Sequence, residues 1–149
     1  IEIQGCVPFP QDELVVKSQV ICSLPDTLRE GQHVFERTGG LHAAGLFTPD
    51  GDLQLLREDV GRHNALDKVI GNRFLENELP LEGMILAVSG RTSFEIMQKT
   101  LAAGIAVVVA VGAPSSLAVN VASEFAMTLI GFAKEEGFNV YAGNERVAV

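Results

Sequence analysis

Residues 84–93, Met84-Ile85-Leu86-Ala87-Val88-Ser89-Gly90-Arg91-Thr92-Ser93, decide the architecture of this chain. An apolar run without polar alternation enters a small, hydroxyl-rich turn, and Thr92–Leu101 then carries apolar residues at helical spacing. A strand covered on both faces has that unbroken apolar character, because neither side of it meets water. The pattern returns in Ile105–Val111, followed by the turn Gly112-Ala113-Pro114-Ser115-Ser116 and a second helical stretch, Ser115–Phe125. A third apolar run, Met127–Phe132, closes the series. Ser and Thr at the head of each helical stretch are suited to capping the free N–H groups there. The strand–helix–strand–helix–strand rhythm predicts right-handed crossovers and an α/β fold. It has three α/β/α layers around a mixed, largely parallel sheet.

Upstream, Leu41–Phe47 and Leu53–Leu56 flank Thr48-Pro49-Asp50-Gly51-Asp52. Proline presets φ and glycine accepts positive φ, so this segment reads as a β-hairpin forming an antiparallel margin of the sheet. Apolar residues at three- and four-residue steps after Asp59 predict a helix from near Val60 to about Gly71 or a little beyond. Ser23-Leu24-Pro25-Asp26 resembles a helix start with proline in the first turn, which predicts a helix over about Pro25–Glu36. Asn72–Leu81 and Lys134–Gly137 read as flexible connections. No internal repeat or low-complexity segment is present.

With 149 residues, 47% of them hydrophobic, the chain has material for one continuous core, and residues 1–149 are expected to form a single domain. Eleven Lys plus Arg against 19 Asp plus Glu give a formal charge of -8, which argues against general binding to nucleic acid or to an anionic membrane. A small anion held by backbone N–H groups and a few local basic side chains is still compatible with that averaged field. The two cysteines, Cys6 and Cys22, offer neither a disulfide framework nor a zinc knuckle, and point to a reducing compartment. No apolar run is long enough to span a bilayer and the first residues do not resemble a secretory signal, so a cytoplasmic protein is expected. Because the chain begins with Ile1, a piece of a longer product is expected.

Ligands of open α/β sheets gather at the carboxyl ends of strands, where helix N-termini direct N–H groups outward. Ser89-Gly90-Arg91-Thr92-Ser93 is one such turn, and Arg91 can make a forked contact with phosphate. Gly112-Ala113-Pro114-Ser115-Ser116 is a second, without a basic residue. Either could also be simple capping. Asp59-Val60-Gly61-Arg62-His63-Asn64 gathers Arg62 and His63 at a helix start, where an anion is favoured if Arg62 points outward, while Asp59 could be a plain capping partner. His42 follows the double glycine Gly39-Gly40 and is either a strand residue satisfied by backbone or part of a site. His33 takes no role. Cys6 has no basic neighbour to activate it, and Cys22 reads as core. A zinc deaminase is excluded on chemistry: His42 is followed by Ala43-Ala44, and no cysteine occurs after Cys22.

Arg37-Thr38-Gly39-Gly40-Leu41-His42-Ala43-Ala44, Glu58-Asp59-Val60-Gly61-Arg62-His63-Asn64-Ala65-Leu66-Asp67-Lys68 and Ser89-Gly90-Arg91-Thr92-Ser93-Phe94-Glu95 together resemble the formate dehydrogenase accessory sulfurtransferase family, also called FdhD/NarQ. Ala113–Val119, Thr128–Lys134 and Asn139-Val140-Tyr141 are similar to its later segments, so the likeness covers most of the chain. The resemblance implies a cytidine-deaminase-like α/β/α domain, a homodimer, and a sulfurtransferase. Such a protein takes persulfide sulfur from a cysteine desulfurase. It passes the sulfur to the molybdenum of a bis(molybdopterin guanine dinucleotide) cofactor, for use by formate dehydrogenase.

By the same resemblance the persulfide forms on a Cys-x-x-Cys pair in a mobile loop expected upstream of Ile1, so no catalytic residue is expected in this chain, and the chain alone should be inactive. The family's cofactor-binding stretch falls on Phe132, Ala133, Lys134, Glu135, Glu136 and Gly137, with GDP as the natural analogue. Glu135 and Glu136 either turn away from a phosphorylated ligand or meet its guanine edge. Arg91, Arg62, His63 and His42 complete the expected set. The alternatives are a non-catalytic binding module that shelters the cofactor or docks the target enzyme, and a nucleotide hydrolase, which the missing metal ligands oppose.

Overall fold

The computed structural model describes residues 14–32, 42–77 and 81–148. Six strands, β2 (His42–Phe47), β3 (Leu53–Asp59), β4 (Ile85–Val88), β5 (Val107–Ala110), β6 (Thr128–Lys134) and β7 (Gly137–Ala142), form one sheet in the order β3-β2-β4-β5-β6-β7. The centre, β4-β5-β6, is parallel; β2 runs antiparallel to both β3 and β4, and β7 antiparallel to β6. A small parallel pair joins β1 (Val16–Lys17) to β8 (Val147–Ala148). The helices are α1 (Ser18–Gly31), α2 (Arg62–Leu75), α3 (Phe94–Ala102) and α4 (Ser116–Glu124).

The central strands lack polar alternation because each face meets its own apolar layer. Leu86, Val88, Val108, Ala110 and Leu129 point into a core shared with Leu66 of α2, Ile96 and Met97 of α3, and Val121 of α4. Their neighbours Ile85, Ala87, Val107, Val109 and Ile130 point the other way, against Ile21, Leu24 and Leu28 of α1. The three expected layers are therefore present, with α1 the only helix on one face among the described residues. The hairpin is as expected: Gly51 has φ of 92°, and Thr48 N–H donates to the Asp52 carbonyl at 2.9 Å.

Several boundaries differ from those the sequence suggests. The first helix starts at Ser18, and Pro25 lies buried inside it rather than in its first turn. An interior proline costs about 3 kcal/mol. Burial of Ile21, Leu24 and Leu28 at about 1.5–3 kcal/mol each outweighs that cost. Residues 33–36 of the expected helix, together with Cys6 and His33, lie outside the described residues. Gly71 does not end α2, since a helical glycine costs only about 1 kcal/mol and Ala65, Leu66 and Val69 anchor the helix. Four residues of the expected connection are thus helical. Lys134 pairs with Gly137, so the other expected flexible connection is a tight β6–β7 turn. Strand β7 itself had no sequence prediction. Cys22 is half-buried rather than core.

Candidate functional site

Two strand-to-helix turns emerge side by side at the carboxyl ends of β4 and β5. Ser93 caps α3 by accepting from the Ile96 N–H at 3.3 Å, and Ser115 caps α4 by accepting from the Ala118 N–H at 3.1 Å. Backbone bonds lace the turns together: Thr92 N–H donates to the Ala113 carbonyl at 3.1 Å, and Ser115 N–H to the Thr92 carbonyl at 2.9 Å. Gly112 N–H donates to the Gly90 carbonyl at 3.1 Å, and an added Cβ at Gly112 would lie 2.9 Å from that carbonyl. Only a residue without a side chain allows this approach.

A cleft of about 320 Å³ opens between the turns. Arg62 from the start of α2, Arg91, Thr92 and Ser93 from the first turn, and Pro114 and Ser115 from the second line it. Among the described residues no carboxylate lines it, so a chain of formal charge -8 presents here a local surface of cationic donors and two helix N-termini. Arg62 does point into the cleft. His42 from β2 packs beside Gly90 without lining the cleft: an added Cβ at Gly90 would meet the His42 ring at 3.2 Å and the Arg62 Cδ at 3.4 Å. The first turn is fixed to β2 by a reciprocal pair, Ala43 N–H to Ser89 Oγ at 2.8 Å and Ser89 N–H to the Ala43 carbonyl at 3.0 Å.

His63 behaves differently from Arg62. Its Nε2 shares a hydrogen bond with Ser93 Oγ at 3.0 Å and lies 3.7 Å from Glu95 Oε2, which ties α2 to the head of α3. The stretch 132–137 is divided. Phe132 is exposed at φ of 52°, in the left-handed region that non-glycine residues seldom occupy, and its N–H donates to the Gly112 carbonyl at 3.2 Å. Ala133 is buried in the core beneath α1. Lys134 and Glu136 are exposed, Gly137 is half-exposed, and Glu135 turns to a separate groove of about 490 Å³ with Cys22 and Asp26. Glu135 thus does not line the arginine cleft. Among the described residues no group of three or more His, Cys, Asp or Glu is placed to hold a metal.

Asp59 sets the approach to Arg62. Its Oδ1 accepts from the Gly61 N–H at 3.1 Å, and its Oδ2 lies 2.9 Å from Lys68 Nζ. The Gly61 hydrogen bond first, and Lys68 second, hold the carboxyl below its ordinary value of 3.8. The stabilisation is therefore complete above that value and is lost as pH falls through the lowered one. Asp59→Asn should melt below the unchanged chain at about pH 6, and the gap should close in strong acid. Thermal melts across that range check this; a gap independent of pH would remove the carboxylate from the account.

The fold and site define an α/β protein whose strand-end cleft presents guanidinium and backbone donors, with no carboxylate among the described residues that line it. Residues 3–148 match the model of the FdhD/NarQ family, and the chain belongs to that family. The sulfur carrier protein FdhD of Streptomyces coelicolor is 56% identical over 134 residues, covering 90% of this chain and 48% of that protein. That of Nocardia farcinica is 54% identical over 140 residues, covering 94% and 50%. The crystal structure of a Desulfotalea psychrophila protein described as a formate dehydrogenase accessory protein superposes with a TM-score of 0.84 at 29% identity, over 93% of this chain and 59% of that one. The chain spans about half the length of the curated relatives it matches. Among the described residues no helix is long and apolar enough to cross a membrane.

Three features lay beyond sequence reasoning: the orphaned Thr92 hydroxyl, the backbone contact of Gly112 with Gly90, and the Cys22 groove. Only the glycine after an apolar run hinted at the second.

Proposed function

We propose that this chain is the client-cradling part of a cytoplasmic, homodimeric sulfur carrier. The full protein would receive persulfide sulfur from a cysteine desulfurase. It would transfer that sulfur to the molybdenum of bis(molybdopterin guanine dinucleotide) destined for formate dehydrogenase. Family membership and the relatives' names support the sulfur-carrier role. The observation that carries the cradle is the cleft where Arg62, Arg91 and the N-termini of α3 and α4 converge, with no carboxylate among the described residues that line it. These donors suit the phosphates of a dinucleotide.

Sulfur chemistry needs a thiolate on a mobile arm, whereas the client needs a rigid seat. The arm is assigned to the upstream Cys-x-x-Cys. Cys22 is a poor substitute, since its groove is lined by Asp26 and Glu135 and, among the described residues, by no basic residue. Among the described residues no cysteine lines the cleft, which also suits a binding module that shelters the client without transferring sulfur. Mixing the full-length protein with a desulfurase separates the two, because only the transfer role requires persulfide on the upstream cysteine.

Calorimetric titration with GDP, and ADP as control, tests the cradle directly. A preference for GDP of about tenfold, or ~1.4 kcal/mol, is expected. Equal affinities would leave a generic anion site and end the guanine reading.

A further inference from the structure

Among the described residues three threonines are buried below 2% exposure, and two of them are satisfied: Thr100 Oγ1 donates to the Ile96 carbonyl and Thr128 Oγ1 to the Gly143 carbonyl, each at 2.7 Å. Thr92, 1% exposed, has an Oγ1 with no partner. Protein interiors rarely leave such a group unpaired, because burying it without a hydrogen bond costs free energy. Thr92 also lines the cleft. Its backbone is held on both sides by the second turn, which places Thr92 between the turns. Arg62 Nε, in the same lining, is likewise buried and unpartnered.

We infer that Thr92 Oγ1 and Arg62 Nε are reserved donors for one phosphoryl group seated between the two turns. The inference rests on the reading that the cleft holds a phosphorylated client, and adds which atoms recognise it. A hydroxyl donates one hydrogen bond and Nε–H another, both to phosphoryl oxygens, while Arg91 supplies charge at the mouth. The N-termini of α3 and α4 favour the anion electrostatically, and the caps from Ser93 and Ser115 keep both helix starts rigid. Ser93 does not duplicate the role of Thr92, because its oxygen is already committed to Ile96 and His63.

The seat makes an unusual joint prediction for Thr92→Val. Removing an unpaired buried hydroxyl should leave the melting temperature unchanged or raised, while affinity for inorganic pyrophosphate and for GDP falls about tenfold. Thr92→Ser, which keeps the hydroxyl, should bind within a few-fold of the unchanged chain. Arg62→Lys, which keeps the charge but lacks Nε–H, should weaken both ligands. It carries the test should the valine variant melt early. Calorimetry with pyrophosphate, phosphate, GDP and ADP on the four proteins decides it.

Unchanged affinities in folded Thr92→Val and Arg62→Lys overturn the seat. If GDP is preferred over ADP yet both variants bind normally, the guanine reading stands and the seat falls. If GDP and ADP bind alike and both weaken in the variants, the seat stands without guanine. Absence of binding by the unchanged chain overturns both.

Discussion

Gly112→Ala is expected to lower stability by about 3 kcal/mol and the melting temperature by roughly 6–12 °C, and to weaken anion binding at the strand-end cleft. The new Cβ would sit 2.9 Å from the Gly90 carbonyl carbon and oxygen and 3.0 Å from the Arg91 nitrogen, all backbone atoms. No side-chain rotation relieves a backbone clash, so the two turns must part. Parting them stretches the Thr92–Ala113 and Ser115–Thr92 hydrogen bonds, each contributing about 0.5–1.5 kcal/mol, in addition to overpacking of about 1–3 kcal/mol. The cleft widens at the same point, which separates Thr92 and Arg62 from Pro114 and Ser115. Gly71→Ala is the control: nothing lies within 4 Å of an added Cβ there, and alanine in the helix should stabilise by up to about 1 kcal/mol. Thermal melts with a pyrophosphate titration compare the two. A Gly112→Ala variant that melts within about 2 °C of the unchanged chain would mean that the turns are not held in contact.

The parts of the fold that were legible in the sequence share a physical origin. Strands β4, β5 and β6 showed as apolar runs because both of their faces are covered, and the helical stretches expected from Thr92 and Ser115 correspond to α3 and α4, whose N-caps are Ser93 and Ser115. Helix α1 misled because its N-cap, Lys17, makes no side-chain cap bond, while Ser23 and Pro25 imitate a start in its interior. Strand β7 left no clear pattern: its pairing with β6 is interrupted by two irregularities, and Val140 is partly exposed. In the site, Arg62 and Arg91 stood out because an arginine at a helix start is readable from spacing alone. Thr92 was not, since it and Ser93 are adjacent hydroxyls and only the backbone decides which one caps α3 and which is left unpaired. The division of residues 132–137 was equally hidden, because the irregular β6–β7 pairing sends Ala133 into the core and Glu135 toward α1.

Arg91→Ala provides the complementary result, a loss of binding with no loss of fold. Arg91 is exposed at the mouth of the cleft, so its removal should shift stability by no more than about 0.5 kcal/mol. A charged hydrogen bond contributes about 1.5–3 kcal/mol, and solvent screening at an exposed site favours the lower end, which gives a GDP affinity loss of about tenfold. The loss should deepen at low salt, where the guanidinium is screened less. Arg91→Lys should recover only part of it, because an ammonium cannot grip two phosphoryl oxygens with a planar fork. Replacing Arg62 as well should bring the loss to about 100- to 1000-fold, provided that the two side chains act on different oxygens. If folded Arg91→Ala binds GDP within about twofold of the unchanged chain at low salt, the phosphates lie elsewhere. The turn at 132–137 would then be the place to seek them, where Lys134 offers an exposed cation in the β6–β7 hairpin.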